Sequence, residues 1–486
     1  MRLRLIGLLN GPGGLLLCLV LLLPSYFINN GTSHDWGGDF AMYLQQAENI
    51  VSGMPQADNG YIYNQECPGV GPSTYPIGFP LLLAPVMLFF GNDMAVLIDY
   101  MALLFILLGS SIFMLLRSKV GFGVGLIAAL TIVYHPTLLE FKREVMSDVP
   151  FALFAISAVL AAAKRKWLIA GLIMAMAASI RTVGLSLILA TVLLAFLDVW
   201  NASDFSFSRL IKNSKMKGAI VASAGYVFIN HLLFATSSEA GYKAVFALYD
   251  FKETITGNAA LYWDYVQQLL FTQSDHFLVG VGFLTLCILA VVGWVKKTRL
   301  GYELADVWLP IYLLVLLVYP YRGGALRFML PAVPFLFYYA GLVPRKPYTA
   351  MGLVLLVFLA LPFGLNFNKA KDFSQNWSEH LAGPQSLASV ELFEFIQASV
   401  PRNDAILFLK PRVLAYYGDR RSMSNERQQP AASIKNQLDT IPVQHLLSCN
   451  AIWNPGIDSV LATYPELMEL EFENSDFKLF RYNSNQ

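Results

Sequence analysis

Apolar residues in this chain come in runs long enough to set its architecture. With roughly 17 to 25 predominantly apolar residues needed to cross a bilayer, the pattern predicts about eleven transmembrane helices. They fall near 8–28, 93–116, 121–139, 148–163, 167–180, 183–199, 218–236, 277–295, 304–320, 326–343 and 348–367. The fifth and sixth are short and meet at Arg181-Thr182. A shorter run from Pro76 to Phe90 holds Pro76, Pro80 and Pro85 and reads as a broken, re-entrant or interfacial segment. Ahead of it, Phe40, Tyr43, Leu44, Ala47, Ile50 and Val51 share one helical face, which predicts an interfacial helix lying on the membrane. After Phe367 the pattern changes, as charged, Asn, Gln and Ser residues return without a spanning run. Segment 368–486 reads as a soluble module with a helix over 390–396 and strands over 405–409 and 477–480. The predicted fold is mainly α, a polytopic membrane domain over 1–367 with a long first outer loop at 29–92, followed by a small soluble α/β domain.

Composition agrees: 56% of residues are hydrophobic and 14% charged, too apolar for one soluble core. The net charge of +1 and the lack of a basic block argue against nucleic acid as a partner. Cys18, Cys67, Cys287 and Cys449 show neither CxxC nor metal-type spacing, so no zinc site or disulfide framework is indicated. Arg2 and Arg4 before Leu15–Leu23 imitate a signal peptide. The aromatic end at Tyr26-Phe27 favours a retained first span.

Lys and Arg test the topology, because short cytoplasmic loops carry the excess. With the N-terminus inside, inner loops hold sixteen of the 34 and outer loops only seven. An odd number of spans then puts 368–486 outside. The expected location is an inner (plasma) membrane, with the C-terminal domain and any outer-loop site extracytoplasmic.

Candidate chemistry gathers on that outer side. The first loop opens His34-Asp35-Trp36-Gly37-Gly38-Asp39. Asp39, at the start of a predicted helix, is either an N-cap or a general base above the bilayer. The second loop, Glu140 to Pro150, carries three acids and the adjacent bases Lys142 and Arg143 before Ser147-Asp148, which also suit a helix start. Arg181, Arg322 and Arg327 depart from the positive-inside trend. Guanidinium groups at headgroup level suit a phosphate, either a substrate's or a lipid's. Asp99 is a further ionisable group within a span. His34 reads as a solvated loop residue rather than a ligand.

The order of motifs resembles the GT-C glycosyltransferases, in particular the branch with protein O-mannosyltransferases and the aminoarabinose transferase of lipid A. The resemblance rests on Asp39-Phe40-Ala41-Met42-Tyr43 with Gly53, Tyr75-Pro76-Ile77-Gly78-Phe79-Pro80, Ser147-Asp148-Val149-Pro150, Arg181-Thr182-Val183-Gly184 and Arg327-Phe328-Met329-Leu330-Pro331. It implies a sugar transferred, with inversion, from a polyprenyl-phosphate donor to a glycan, lipid or protein acceptor. It also implies Asp39 as base, Asp148 as a helper acid, and Lys142, Arg143, Arg181, Arg322 and Arg327 as candidates for the donor phosphate. Many members carry Asp-Glu where this chain has Asp39-Phe40, so Asp35 is a second carboxylate or an alternative base. The proline-broken segment would shape the groove for the lipid tail.

Such an enzyme needs no nucleotide loop, and no GxGxxG or Walker pattern occurs. No cofactor is expected. The resemblance leaves a divalent metal open, since members differ in needing one. The competing class is a lipid-linked saccharide flippase, another transporter, or a protein that binds lipid-linked sugar without reacting it. Transport predicts mid-membrane charges and internal repeats, whereas here polar residues gather at one face.

Overall fold

The computed structural model describes residues 11–29, 33–201, 206–234, 250–270, 277–320, 325–343, 364, 367, 368, 371, 383–441 and 443–483. Arg322 and nearly all of the predicted last span, 348–367, lie outside the described residues.

Helices dominate the first part of the chain. In order they are α1 (Pro12–Phe27), α2 (Asp39–Ser52), α3 (Gly78–Phe90), α4 (Met94–Val120), α5 (Phe122–Val133), α6 (Pro136–Arg143), α7 (Asp148–Ala163), α8 (Trp167–Ile180), α9 (Leu185–Trp200), α10 (Phe207–Lys212) and α11 (Ser214–Val227). There follow α12 (Phe251–Leu270), α13 (Phe277–Thr298), α14 (Leu304–Val318), α15 (Ala325–Met329) and α16 (Val333–Ala340). Among the described residues four helices are long and apolar enough to cross a membrane, or up to five if α5 and α6, bent by 63°, form one span. The bend falls at Tyr134-His135 before Pro136, where proline cannot continue the hydrogen-bond ladder. The longest helix, α4, shows its signals plainly. Asp93 caps it by accepting from Ala95 and Val96 N–H, and Arg117 and Lys119 close it against the negative end of its dipole.

Helix packing in the bundle uses small side chains, which let backbones approach where lipid removes the usual hydrophobic drive. Ala152, Ala155, Ala158 and Ala162 of α7 and Ala170, Ala177 and Ala178 of α8 are all buried. Gly78, at the start of α3, meets the end of α8 more closely than any side chain allows. A Cβ there would lie 2.4 Å from the Ser179 carbonyl carbon. The proline-broken segment is therefore a helix seated on the turn that carries Arg181.

Loops that charge alternation assigns to one side meet in space. Lys119 and Lys297, from two predicted inner loops, both pair with Glu303, at 2.8 and 3.4 Å. Among the described residues, Asp39, Asp148, Arg181 and Arg327, from four predicted outer segments, meet in one place.

The C-terminal part is α/β: α17 (Leu387–Ser399), β2 (Ala405–Leu407), α18 (Pro411–Gly418), β3 (Arg421–Met423), α19 (Ala431–Thr440), β4 (His445–Cys449), α20 (Pro455–Thr463), β5 (Met468–Glu473) and β6 (Phe477–Tyr482). The helix expected at 390–396 and the strands at 405–409 and 477–480 lie within or against these elements. The six-stranded sheet runs β1-β3-β2-β4-β6-β5. Its first edge, β1 (Tyr61–Ile62), comes from the loop after α2, and Tyr61 and Ile62 pair in parallel with Ser422 and Met423. The long first loop and the C-terminal segment therefore share one sheet.

The helix expected to lie on the membrane is covered on more faces than its apolar stripe requires. Phe40, Tyr43, Leu44 and Ala47 are buried as its stripe requires, but so are Ala41, Met42, Gln46 and Asn49 on its other faces, while Val51 is exposed. α2 packs between α3 and α18. Polar Gln46 and Asn49 tolerate burial because their amides are satisfied. Gln46 exchanges hydrogen bonds with the backbone of Tyr75, and Asn49 donates to the carbonyls of Pro55 and Asp58.

Candidate active site

Asp39 heads α2, yet it does not cap it, since no side chain caps this helix. Its carboxylate turns away, toward three cationic and hydroxyl donors. The Tyr75 hydroxyl donates to Oδ1 at 2.6 Å, and Arg412 Nη1 donates to the same oxygen at 3.2 Å. Arg327 Nη2 approaches Oδ2 at 3.5 Å. Burial works against its charge, but Arg327, Arg412 and the Tyr75 hydrogen bond outweigh this and hold the carboxyl below its usual range.

Asp148 likewise begins its helix without capping it. Arg181 Nη1 donates to Asp148 Oδ1 at 2.5 Å and to Ser147 Oγ at 3.3 Å. Ser147 Oγ also meets the Tyr43 hydroxyl at 2.9 Å. Arg327 Nη1 lies 3.9 Å from Asp148 Oδ2, so this guanidinium stands between the two acids. The Phe328 ring supports Arg181 at 4.8 Å and Arg327 at 5.3 Å. Arg327 is the loosely held one: its contacts are long, and its Nε finds no acceptor among the described residues.

These groups form the polar end of a cavity of about 630 Å³. Asp39, Tyr75, Arg181 and Arg327 line that end, while Val183, Leu189, Ile311, Val315 and Leu316 line an apolar flank between α9 and α14.

The other residues expected at the site lie elsewhere. Asp35 pairs with His34 at 3.0 Å, is largely exposed, and does not line the cavity. His34 is not a solvated loop residue: it is buried, stacks on Phe40 at 3.9 Å, and accepts from Val145 N–H through Nε2. Lys142 points to the backbone, donating to the carbonyls of Ser25, Tyr26 and Ile28 at 3.0, 3.0 and 2.7 Å. Arg143 is buried among the charges of Asp35, Glu140 and Glu144. Glu144 itself is pushed up to about 8 by burial and by the charge of Asp35, against the pull of Arg327.

Sequence reasoning missed Arg412 altogether, and took Tyr75 only as part of a motif. Arg412 is one of several basic residues in a polar C-terminal segment, and nothing in its neighbours shows that it reaches Asp39. Among the described residues no three His, Cys, Asp or Glu side chains are grouped to hold a metal ion. The carboxylates at the cavity are turned to arginine and tyrosine.

The chain shares its fold with solved glycosyltransferases, and four of its described helices are long and apolar enough to cross a membrane. Its structure is similar to that of ArnT from Cupriavidus metallidurans, solved with bound undecaprenyl phosphate, at a TM-score of 0.56 and 13% identity, covering 97% of this chain and 98% of that one. It is also similar to the oligosaccharyltransferase of Archaeoglobus fulgidus, at a TM-score of 0.54 and 13% identity over 90% of this chain and 67% of that one. The archaeal oligosaccharyltransferase AglB from Archaeoglobus fulgidus, in complex with an inhibitory peptide and a dolichol-phosphate, matches at a TM-score of 0.54 and 12% identity over 96% and 74%. No family model matches the sequence, and no curated protein does.

Proposed function

We propose that this chain is a membrane glycosyltransferase that moves a sugar from a polyprenyl-phosphate donor to an acceptor hydroxyl, with inversion, at the extracytoplasmic face of an eleven-span domain in the plasma membrane. The observation that carries this reading is the cavity, which has the Asp39 carboxyl and a loosely held Arg327 at one end and an apolar wall for a lipid tail along its flank. ArnT and AglB, which share the fold, are each solved with a polyprenyl-type phosphate.

In this mechanism the acceptor oxygen bonds to the anomeric carbon as the bond from that carbon to the phosphate oxygen breaks. The phosphate leaves with the electron pair, and Asp39 takes the acceptor's proton. Positive charge grows on the sugar ring and negative charge on the phosphate, so a carboxylate beside one and a guanidinium beside the other lower the barrier. A carboxyl held as low as that of Asp39 is a weak base. It takes the proton late, once the acceptor oxygen has become acidic through bonding to carbon. Arg327 receives the phosphate, and Arg181, fixed by Asp148, supports it.

Asp39→Asn separates catalysis from carriage. The variant should bind undecaprenyl phosphate as the native chain does, measured by native mass spectrometry, and lose transfer by at least about a hundredfold, the lower range for a positioned base. Transfer is read as polyprenyl phosphate released from the lipid-linked sugar pool of the source cells. Unchanged release would remove Asp39 from the mechanism, and release by neither protein would favour a flippase or a binding protein.

A further inference from the structure

Arg412 is the second residue of α18 in the soluble domain, and it is almost completely buried. Every hydrogen bond it donates goes to the first outer loop. Nη1 donates to the Tyr75 hydroxyl at 2.6 Å and to Asp39 Oδ1 at 3.2 Å, and Nη2 donates to the Pro72 carbonyl at 2.9 Å. Its guanidinium also lies 4.7 Å from the Tyr75 ring and 5.0 Å from that of Tyr61. Gly71, at a φ of 97°, makes room for it: a Cβ there would fall 2.9 Å from Arg412 Nη2.

We propose that Arg412 is the positioning residue of the transferase site, by which the soluble domain orients the carboxylate of Asp39 and decides which of its oxygens takes the acceptor's proton. The inference rests on the transferase reading above. Because Arg412 donates to the Tyr75 oxygen, the Tyr75 hydroxyl hydrogen is directed at Asp39 Oδ1. Oδ1 thus accepts from two donors, and Oδ2, facing Arg327, is left as the basic oxygen. Buried charge-assisted hydrogen bonds fix such geometry far better than exposed ion pairs do. Nothing in the mechanism requires Arg412 to touch donor or acceptor.

The test uses full-length protein in native membranes, with the source cells' extracted polyprenyl-phosphate sugar pool as substrate and released polyprenyl phosphate as readout. Arg412→Gln should lower kcat about tenfold to a hundredfold, the scale of one charge-assisted hydrogen bond, and leave KM for the lipid pool within about twofold. The acidic limb of its pH profile should move to higher pH. Asp39 is faced by Arg412, Arg327, Arg181, Lys410, Tyr75 and Tyr43, and removing one of these cations weakens the hold on its ionised form. Arg412→Lys restores the charge without the fork and should recover the limb more than the rate. Tyr75→Phe, which keeps the ring and loses the relay hydroxyl, should shift the limb in the same direction as Arg412→Gln. If Arg412→Gln does not fold, Arg412→Lys and Tyr75→Phe carry the test. A native kcat and an unmoved limb in these variants, with Asp39→Asn inactive, would overturn the role of Arg412 and leave the transferase standing. An active Asp39→Asn would instead sink the transferase reading.

Discussion

Lys142 shows how far a residue's chemistry depends on where its side chain ends. Its ammonium sits in the protein interior, satisfied by three carbonyls at the end of α1. Removing it strips those carbonyls of a charged donor, and unsatisfied buried acceptors cost about 1–3 kcal/mol. Lys142→Met should therefore lower the thermal unfolding midpoint of the solubilised protein and leave KM for the lipid pool unchanged. A raised KM with native stability would return Lys142 to the donor site. Adjacent in sequence, Lys142 and Arg143 read as a basic pair beside three acids, and only the fold separates them from Arg181 and Arg327. Asp39 and Asp148 were legible because each stands at a helix start on the same face of the bundle. What sequence could not show was that both decline the capping role that position offers and turn to arginines instead. Arg412 was illegible for a related reason: its partners Asp39, Pro72 and Tyr75 lie more than three hundred residues away.

At the scale of elements, apolar periodicity placed α4, α8 and α9 well, and the break at Arg181-Thr182 is real, with a tight turn over Thr182–Gly184. Periodicity did not show the full burial of α2, because a stripe on one face says nothing about what covers the others. Here a second domain does, by way of α18. The same limit applies to α3, where three prolines suggested a broken segment although Pro80 and Pro85 are accommodated in one helix. The contact that fixes α3 is Gly78 against the backbone of Ser179 and Ile180. Gly78→Ala should push α3 off the end of α8 and displace Arg181. We expect a loss of stability of about 1–3 kcal/mol, as for an overpacked core, and a fall in kcat larger than the change in KM. Native stability together with native kcat would show that the turn yields without cost to the site.

For the whole molecule, charge alternation assigned loops to two sides, and among the described residues Lys119 and Lys297 of two predicted inner loops meet at Glu303, while Asp39, Asp148 and Arg181 of predicted outer loops lie together. Orientation follows by experiment. Trp453 is exposed on the C-terminal α/β part, and Lys297 lies in a predicted inner loop beside Glu303. An impermeant maleimide should label Trp453→Cys in intact cells, and Lys297→Cys only after permeabilisation. The background to control for comes from the half-buried Cys287, since Cys18, Cys67 and Cys449 are buried. The reverse order of labelling would invert the topology.

The edge strand β1 has a consequence in time. Asn64 donates to the carbonyl of Ser424, 360 residues further along the chain, beside the strand pairing of Tyr61 with Ser422. During synthesis the first loop emerges early and must wait, with the polar groups of β1 unpaired, until the segment carrying β3 has been made. Contacts this distant in sequence form late. A nascent or prematurely ended chain thus holds Asp39 and Tyr75 without the partner that orders them. On the reading proposed above, synthesis of the segment carrying Arg412 and β3, rather than insertion of the helices before it, is the event that orders the site.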